Sequence, residues 1–119
     1  MVSEDFAKKR CKPCEGGVAP LTSTQGGDYL KSLSGWQIAE DGKSISKEYL
    51  MKNFMGAIEL IIRIAEVAES EDHHPDIHLT SYRKLRIELS THAIKGLSEN
   101  DFILAAKIEG LPKELKKNP

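Results

Sequence analysis

After Asn53, apolar residues recur every three or four positions: Phe54, Ala57, Ile58, Ile61, Ile62, Ala65 and Ala68, with Glu59, Arg63 and Glu66 elsewhere on the wheel. That spacing predicts a long amphipathic helix over 54–70, with Asn53 as its N-cap. On either side the period drops to two. Upstream, WQIAE and KSISKEYLM flank Asp41-Gly42, a preferred pair for a two-residue type I′ hairpin turn. Ile45, Lys47, Tyr49 and Met51 share one strand face there, and Lys47 breaks its apolar row. Downstream, Ile77, Leu79 and Ser81 alternate; after a turn near Arg83-Lys84, Leu85, Ile87 and Leu89 alternate with Arg86, Glu88 and Ser90. This second pair reads as a hairpin with one buried face.

Ser98-Glu-Asn-Asp101 opens a last helix, with Ser98 as N-cap and Asp101 at the third helical position, as in a capping box. The predicted order is strand, strand, long helix, strand, strand, helix. Two hairpins separated by a helix make an antiparallel sheet with helices on one face, an α+β arrangement. The texture changes near residue 34. Residues 1–34 read as a partly irregular arm, in which a short helix around Leu21 to Leu33 is weakened by Gly26 and Gly27. Residues 35–119 carry the strong elements, and at 119 residues the whole chain suits one single domain, 1–119.

Charge narrows the partners. Seventeen basic and eighteen acidic side chains give a formal charge of −1 and a pI near 6.4, which is no footprint for direct nucleic-acid or anionic-membrane binding. The longest apolar run is too short for a bilayer, and MVSEDFAKKR lacks the apolar stretch of a secretory signal. The expectation is a cytoplasmic protein.

Two of the four histidines stand side by side in Glu69-Ser-Glu-Asp-His73-His74-Pro75. An imidazole exchanges protons close to neutral pH without heavy tuning. Proline pushes its predecessor out of helical geometry, so the long helix must stop near His73 or His74. The plain alternative is that His-His-Pro only terminates the helix, where a cationic histidine favours the last carbonyls. His92 changes that balance: one strand leaves the corner and the next returns antiparallel, carrying His92 back to the same sheet edge. Three histidines can then share a pocket. Asp101 either caps its helix, or orients His92 or contacts a ligand amine, and the capping and functional roles can coexist. Cys11-Lys-Pro-Cys14 and the histidines could be imagined around zinc. A single CxxC with no second pair is weak ground for that, and its place before any strong element does not suit a redox motif.

The constellation Glu69-x3-His73-His74-Pro75, then Tyr82, then THxxxGLSxxD from Thr91 to Asp101, resembles the pterin-4a-carbinolamine dehydratase family. Six residues separate Pro75 from Tyr82, nine separate Tyr82 from His92, and eight separate His92 from Asp101. The likeness extends upstream through Ala57, Phe54 and Trp36 to the CxPCEGG arm. It implies an α+β fold with a four-stranded antiparallel sheet, and dehydration of 4a-hydroxytetrahydrobiopterin to the quinonoid dihydropterin without metal or organic cofactor. It further implies His73, His74 and His92 as catalytic acid and base candidates, and Glu69, Pro75 and Asp101 as substrate-binding residues. Members assemble as homodimers or homotetramers. Some relatives instead act as non-catalytic binding modules, a dimerisation or assembly partner of another protein, and that is the alternative function. Two departures stand out: Ile58 and Leu60 replace phenylalanines of many relatives, and Gly26-Gly27 interrupts a stretch that is usually regular helix.

Overall fold

The computed structural model describes residues 6–11 and 19–117. Its elements in chain order are α1 (Ser23–Leu30), β1 (Gln37–Ile38), β2 (Ile45–Leu50), α2 (Phe54–Glu71), β3 (Asp76–Thr80), β4 (Lys84–Leu89) and α3 (Glu99–Glu109), preceded by a single 3-10 turn at Phe6–Lys8. The four strands form one antiparallel sheet in the order β1-β2-β4-β3. This is the α+β fold expected from the patterning, with the helices on one face. Strand alternation sets that face: Ile45, Tyr49 and Met51 of β2 and Leu85, Ile87 and Leu89 of β4 are buried, while Lys84, Glu48 and Leu50 are exposed or flank the open side. Against the buried row pack Ala57, Leu60 and Ile64 of α2 and Phe102 to Ala105 and Ile108 of α3. Among the described residues no helix is long and apolar enough to cross a membrane.

Three details differ from the sequence expectation. First, the buried seam of α2 runs through Ala57, Leu60, Ile64 and Ala68, whereas Phe54, Met55, Ile62 and Ala65 are exposed. The helix carries two apolar stripes, and the sheet takes the one centred on Leu60. Second, Asp41-Gly42 is not a two-residue type I′ turn, which needs positive φ at both central residues. Only Gly42 has one (φ 73°), and Ile38 pairs with Ile45, so the hairpin loop is the four residues 40–43, closed by Ala39 N–H to Ser44 O at 2.9 Å. Third, α1 is regular through both glycines. Thr22 and Gln25 close a capping box, and Gly26 is buried where a Cβ would meet Ile38 Cδ1 at 3.4 Å, so the helix packs closely against β1 at this point.

Lys47 does point to the apolar side, as the broken row required, and its ammonium is satisfied there. It donates to both oxygens of Glu109 at 3.0 Å and to Ser34 O at 3.0 Å, while the Tyr49 hydroxyl donates to the same carboxylate. Burial pushes the Glu109 carboxyl up, but the hydrogen bonds from Tyr49 and Lys47 and the Lys47 charge outweigh it, leaving Glu109 below its ordinary value. A carboxylate depressed in the folded state adds stability above its unfolded pKa and loses it as pH falls through the folded one. Glu109→Gln is therefore expected to cost about 1–3 kcal/mol at pH 7. Urea unfolding of both proteins should show that gap closing as the solution is acidified toward pH 3.

Candidate active site

Three segments of the chain meet at one end of the sheet. β3 begins there, directly after His73-His74-Pro75; β4 ends there, directly before Thr91-His92; β2 begins there, after the 40–43 loop. The pairing fixes this arrangement, because Asp76 faces Glu88 and Leu89 faces Ile45.

The α2 terminus is built to place His73. Asp72 adopts the left-handed conformation (φ 53°), the His73 N–H donates to Ala68 O at 3.2 Å and the Asp72 N–H to Glu69 O at 3.3 Å. These two bonds form a Schellman stop, which ends the helix at Glu71, slightly before the point that the proline alone demands. His73 Nε2 then lies 2.7 Å from Asp101 Oδ1. Asp101 is fully buried, and its other oxygen accepts from Thr91 Oγ1 at 2.9 Å and from the Ser98 N–H at 3.0 Å. The last of these bonds is one half of the expected capping box. Asp101 thus does cap α3, but the ring it orients is His73 rather than His92. A carboxylate held on three sides fixes the ring plane and favours the tautomer with its proton on Nε2.

The other two imidazoles are presented differently. The His73 side chain is 11% exposed and that of His74 55%; Glu69, also exposed, brings its carboxylate to 3.6 Å from His74 Nε2. His92 is exposed at the start of a 3-10 turn (His92–Ile94), which a bridge between Thr91 and Gly96 closes at its base. No hydrogen bond or ion pair among the described residues engages the His92 ring. Pro75 is half-buried between the corner and β3. His78 lies on the open face of the sheet, 3.8 Å from Glu88, away from this group.

The half-buried Cys11 comes near from the N-terminal arm. Its N–H donates to Glu71 Oε1 at 2.8 Å and its thiol contacts Asn100 O at 3.6 Å. Burial, then the charges of Glu71 and Asp101, push this thiol up to about 12, so at neutral pH it is a protonated thiol and a poor nucleophile or metal ligand. Cys14 lies outside the described residues.

Sequence reasoning did not assign Thr91 or Glu71 a place here. Thr91 was within reach: continuing the inward row Leu85, Ile87, Leu89 by one step puts a hydroxyl on the buried side and His92 on the open side. Glu71 left no such signal, because the groups that hold it, the Arg10 guanidinium at 3.2 Å and the Lys107 ammonium at 3.9 Å, are remote in sequence.

An oriented imidazole backed by a buried carboxylate, with two solvent-facing imidazoles on the segments beside it, is an arrangement whose groups can donate and accept protons. Comparison with known proteins gives that arrangement a family. The family model described as Pterin 4 alpha carbinolamine dehydratase matches residues 19–111. A provisionally named pterin-4-alpha-carbinolamine dehydratase of Nitrosomonas eutropha is 46% identical over 108 residues, covering 90% of this chain and 93% of the relative. The Arabidopsis thaliana protein named pterin-4-alpha-carbinolamine dehydratase 2, mitochondrial, is 41% identical over 113 residues, covering 92% of this chain and 60% of that protein. The crystal structure of a transcriptional coactivator/pterin dehydratase from Brucella melitensis superposes with a TM-score of 0.71 at 30% identity, covering 76% of this chain and 95% of that one. The chain belongs to the Pterin 4 alpha carbinolamine dehydratase family, a family of dehydratases acting on a pterin.

Proposed function

We propose that this protein converts 4a-hydroxytetrahydrobiopterin to quinonoid dihydrobiopterin and water, as a cytoplasmic step in tetrahydrobiopterin recycling. The reaction breaks the C4a–O bond and forms a C=N bond: a base takes the proton of the adjacent ring N–H, and an acid protonates the departing hydroxyl so that it leaves as water. No electrons are exchanged with another molecule. Such positioned proton transfer contributes ~10² to 10⁴-fold in rate. His74 and His92, whose rings are open to solvent, are the acid and base in this reading. His73, immobilised by Asp101, holds the pyrimidine edge of the pterin, with Glu69 beside His74 contributing to substrate binding and Pro75 forming a wall.

The observation that carries the reading is the shared carboxylate: Asp101 takes His73 from the α2–β3 corner with one oxygen and Thr91, the neighbour of His92, with the other. Two histidine-bearing segments distant in sequence are thereby locked together. Stopped-flow dehydration of a synthetic 4a-hydroxytetrahydropterin tests it. Acceleration over the spontaneous reaction is expected at catalytic protein concentration, and none would refute the reading.

The exposed stripe of α2 supports a homo-oligomer, a dimer or tetramer, as the working form. Phe54, Met55 and Ile62 are 49%, 62% and 54% exposed on one helix, an apolar row of the kind that helix–helix packing covers. Ile62→Glu is expected to shift the protein to smaller species in light scattering, with its far-UV spectrum unchanged.

A further inference from the structure

Beside His92 the sheet end opens a cleft of about 300 Å³ lined by Lys43, Ser90, Thr91, His92, Lys95 and Gly96. Two lysines, a histidine, a serine and a threonine line it without any acidic residue. That balance is local, since the whole chain carries a formal charge of −1. Neither Lys43 nor Lys95 has an ion-pair partner among the described residues. The nearest acid in sequence, Asp41, is engaged through Oδ1 with the Lys43 backbone N–H at 2.9 Å.

Lys95 is also placed at some cost to the backbone. It adopts the left-handed conformation (φ 55°, ψ 43°) at the end of the 3-10 turn, where glycine or asparagine would be relaxed. The turn is closed by Thr91 N–H to Gly96 O at 2.8 Å and by Lys95 N–H to His92 O at 3.1 Å. A long cationic side chain at such a position of a short, braced turn, lining one cleft together with Lys43, points to use of the charge.

We infer that this cleft is a subsite for an anionic group on the pterin side chain, a phosphate ester above all, held by Lys43 and Lys95 while the pterin ring lies against the histidines. The inference rests on the dehydratase reading for the ring's location and goes beyond it in naming the substrate class: pterins whose 6-substituent ends in an oxyanion. Ammonium groups act as point charges, which suits a tetrahedral phosphate better than the planar fork that a guanidinium offers a carboxylate.

The test uses fluorescence titration of the intact protein with three stable oxidised pterins: 6-hydroxymethylpterin, its phosphate monoester and pterin-6-carboxylate. The wild-type protein is expected to bind the phosphate about tenfold more tightly than the neutral alcohol, with the preference shrinking in 0.5 M salt as screening demands. In the Lys43→Ala/Lys95→Gly double variant the ratio should fall to about one. Glycine relaxes the left-handed position, so that variant keeps its turn. A carboxylate preferred as strongly as the phosphate supports recognition of charge rather than of tetrahedral shape. A ratio of one in the wild type, or one that survives in the double variant, overturns the subsite. Stopped-flow dehydration separates the two claims: no turnover with the phosphate preference intact sinks the dehydratase reading alone, whereas turnover without the preference sinks the subsite alone.

Discussion

Asp101→Asn is expected to slow dehydration of a 4a-hydroxytetrahydropterin on the order of 10²-fold while leaving the protein folded. Asparagine has the shape of aspartate, and its amide oxygen can still accept from Thr91 and the Ser98 N–H. Its other face then presents N–H groups to His73 Nε2, where the native structure has an acceptor at 2.7 Å. The ring must take the other tautomer or turn away. The loss should fall on kcat as well as KM, and thermal unfolding should stay close to that of the wild type. Asp101→Ala should behave differently. It removes the carboxylate that accepts from the buried Thr91 hydroxyl and from the Ser98 N–H, leaving Thr91 only its bond with Ser98 Oγ, so a stability loss of about 1–3 kcal/mol is added to the kinetic one. Full activity in the asparagine variant would reduce the His73–Asp101 pair to a structural brace.

The second large effect is expected at the open imidazoles. His74→Ala and His92→Ala should each lower the dehydration rate by about 10² to 10⁴-fold, because each removes one partner of the proton transfers. Both side chains face solvent, so neither change should alter stability by more than about 0.5 kcal/mol, and the rate loss can be read as chemistry. Unchanged turnover in both variants would remove these residues from the mechanism. Loss in one alone would leave a single residue to serve as both acid and base.

Much of this arrangement is legible in the sequence because it depends on local rules. Asn53 caps α2 through its side chain, accepting from Gly56 N–H at 2.7 Å; Asp101 caps α3; and period-two alternation marks β3 and β4. From those alone, antiparallel return brings His92 to the His73-His74 corner. What the sequence leaves open is decided by contacts between elements. α2 carries two apolar stripes of similar character, and only the sheet's position selects the one through Leu60 and Ile64. Gly26 looks like a helix breaker, yet α1 runs through it because Thr22 and Gln25 cap the helix and its buried face packs on Ile38. Proximity along the chain offers His92 as a partner for Asp101 beside its capping role, yet the pleat turns Thr91 inward and His92 outward, and the carboxylate takes Thr91 and His73. Lys47 looks like a fault in a strand until Glu109 arrives from the far end of α3.

The central claim is that His74 and His92, from separate segments, face one pterin. Titrating 6-hydroxymethylpterin into protein with isotopically labelled histidine, and following each imidazole by NMR, tests it most directly. The account predicts that the His74 and His92 ring signals move together along one binding curve, with a single Kd. Movement of only one of them, or two curves with different Kd values, would contradict it.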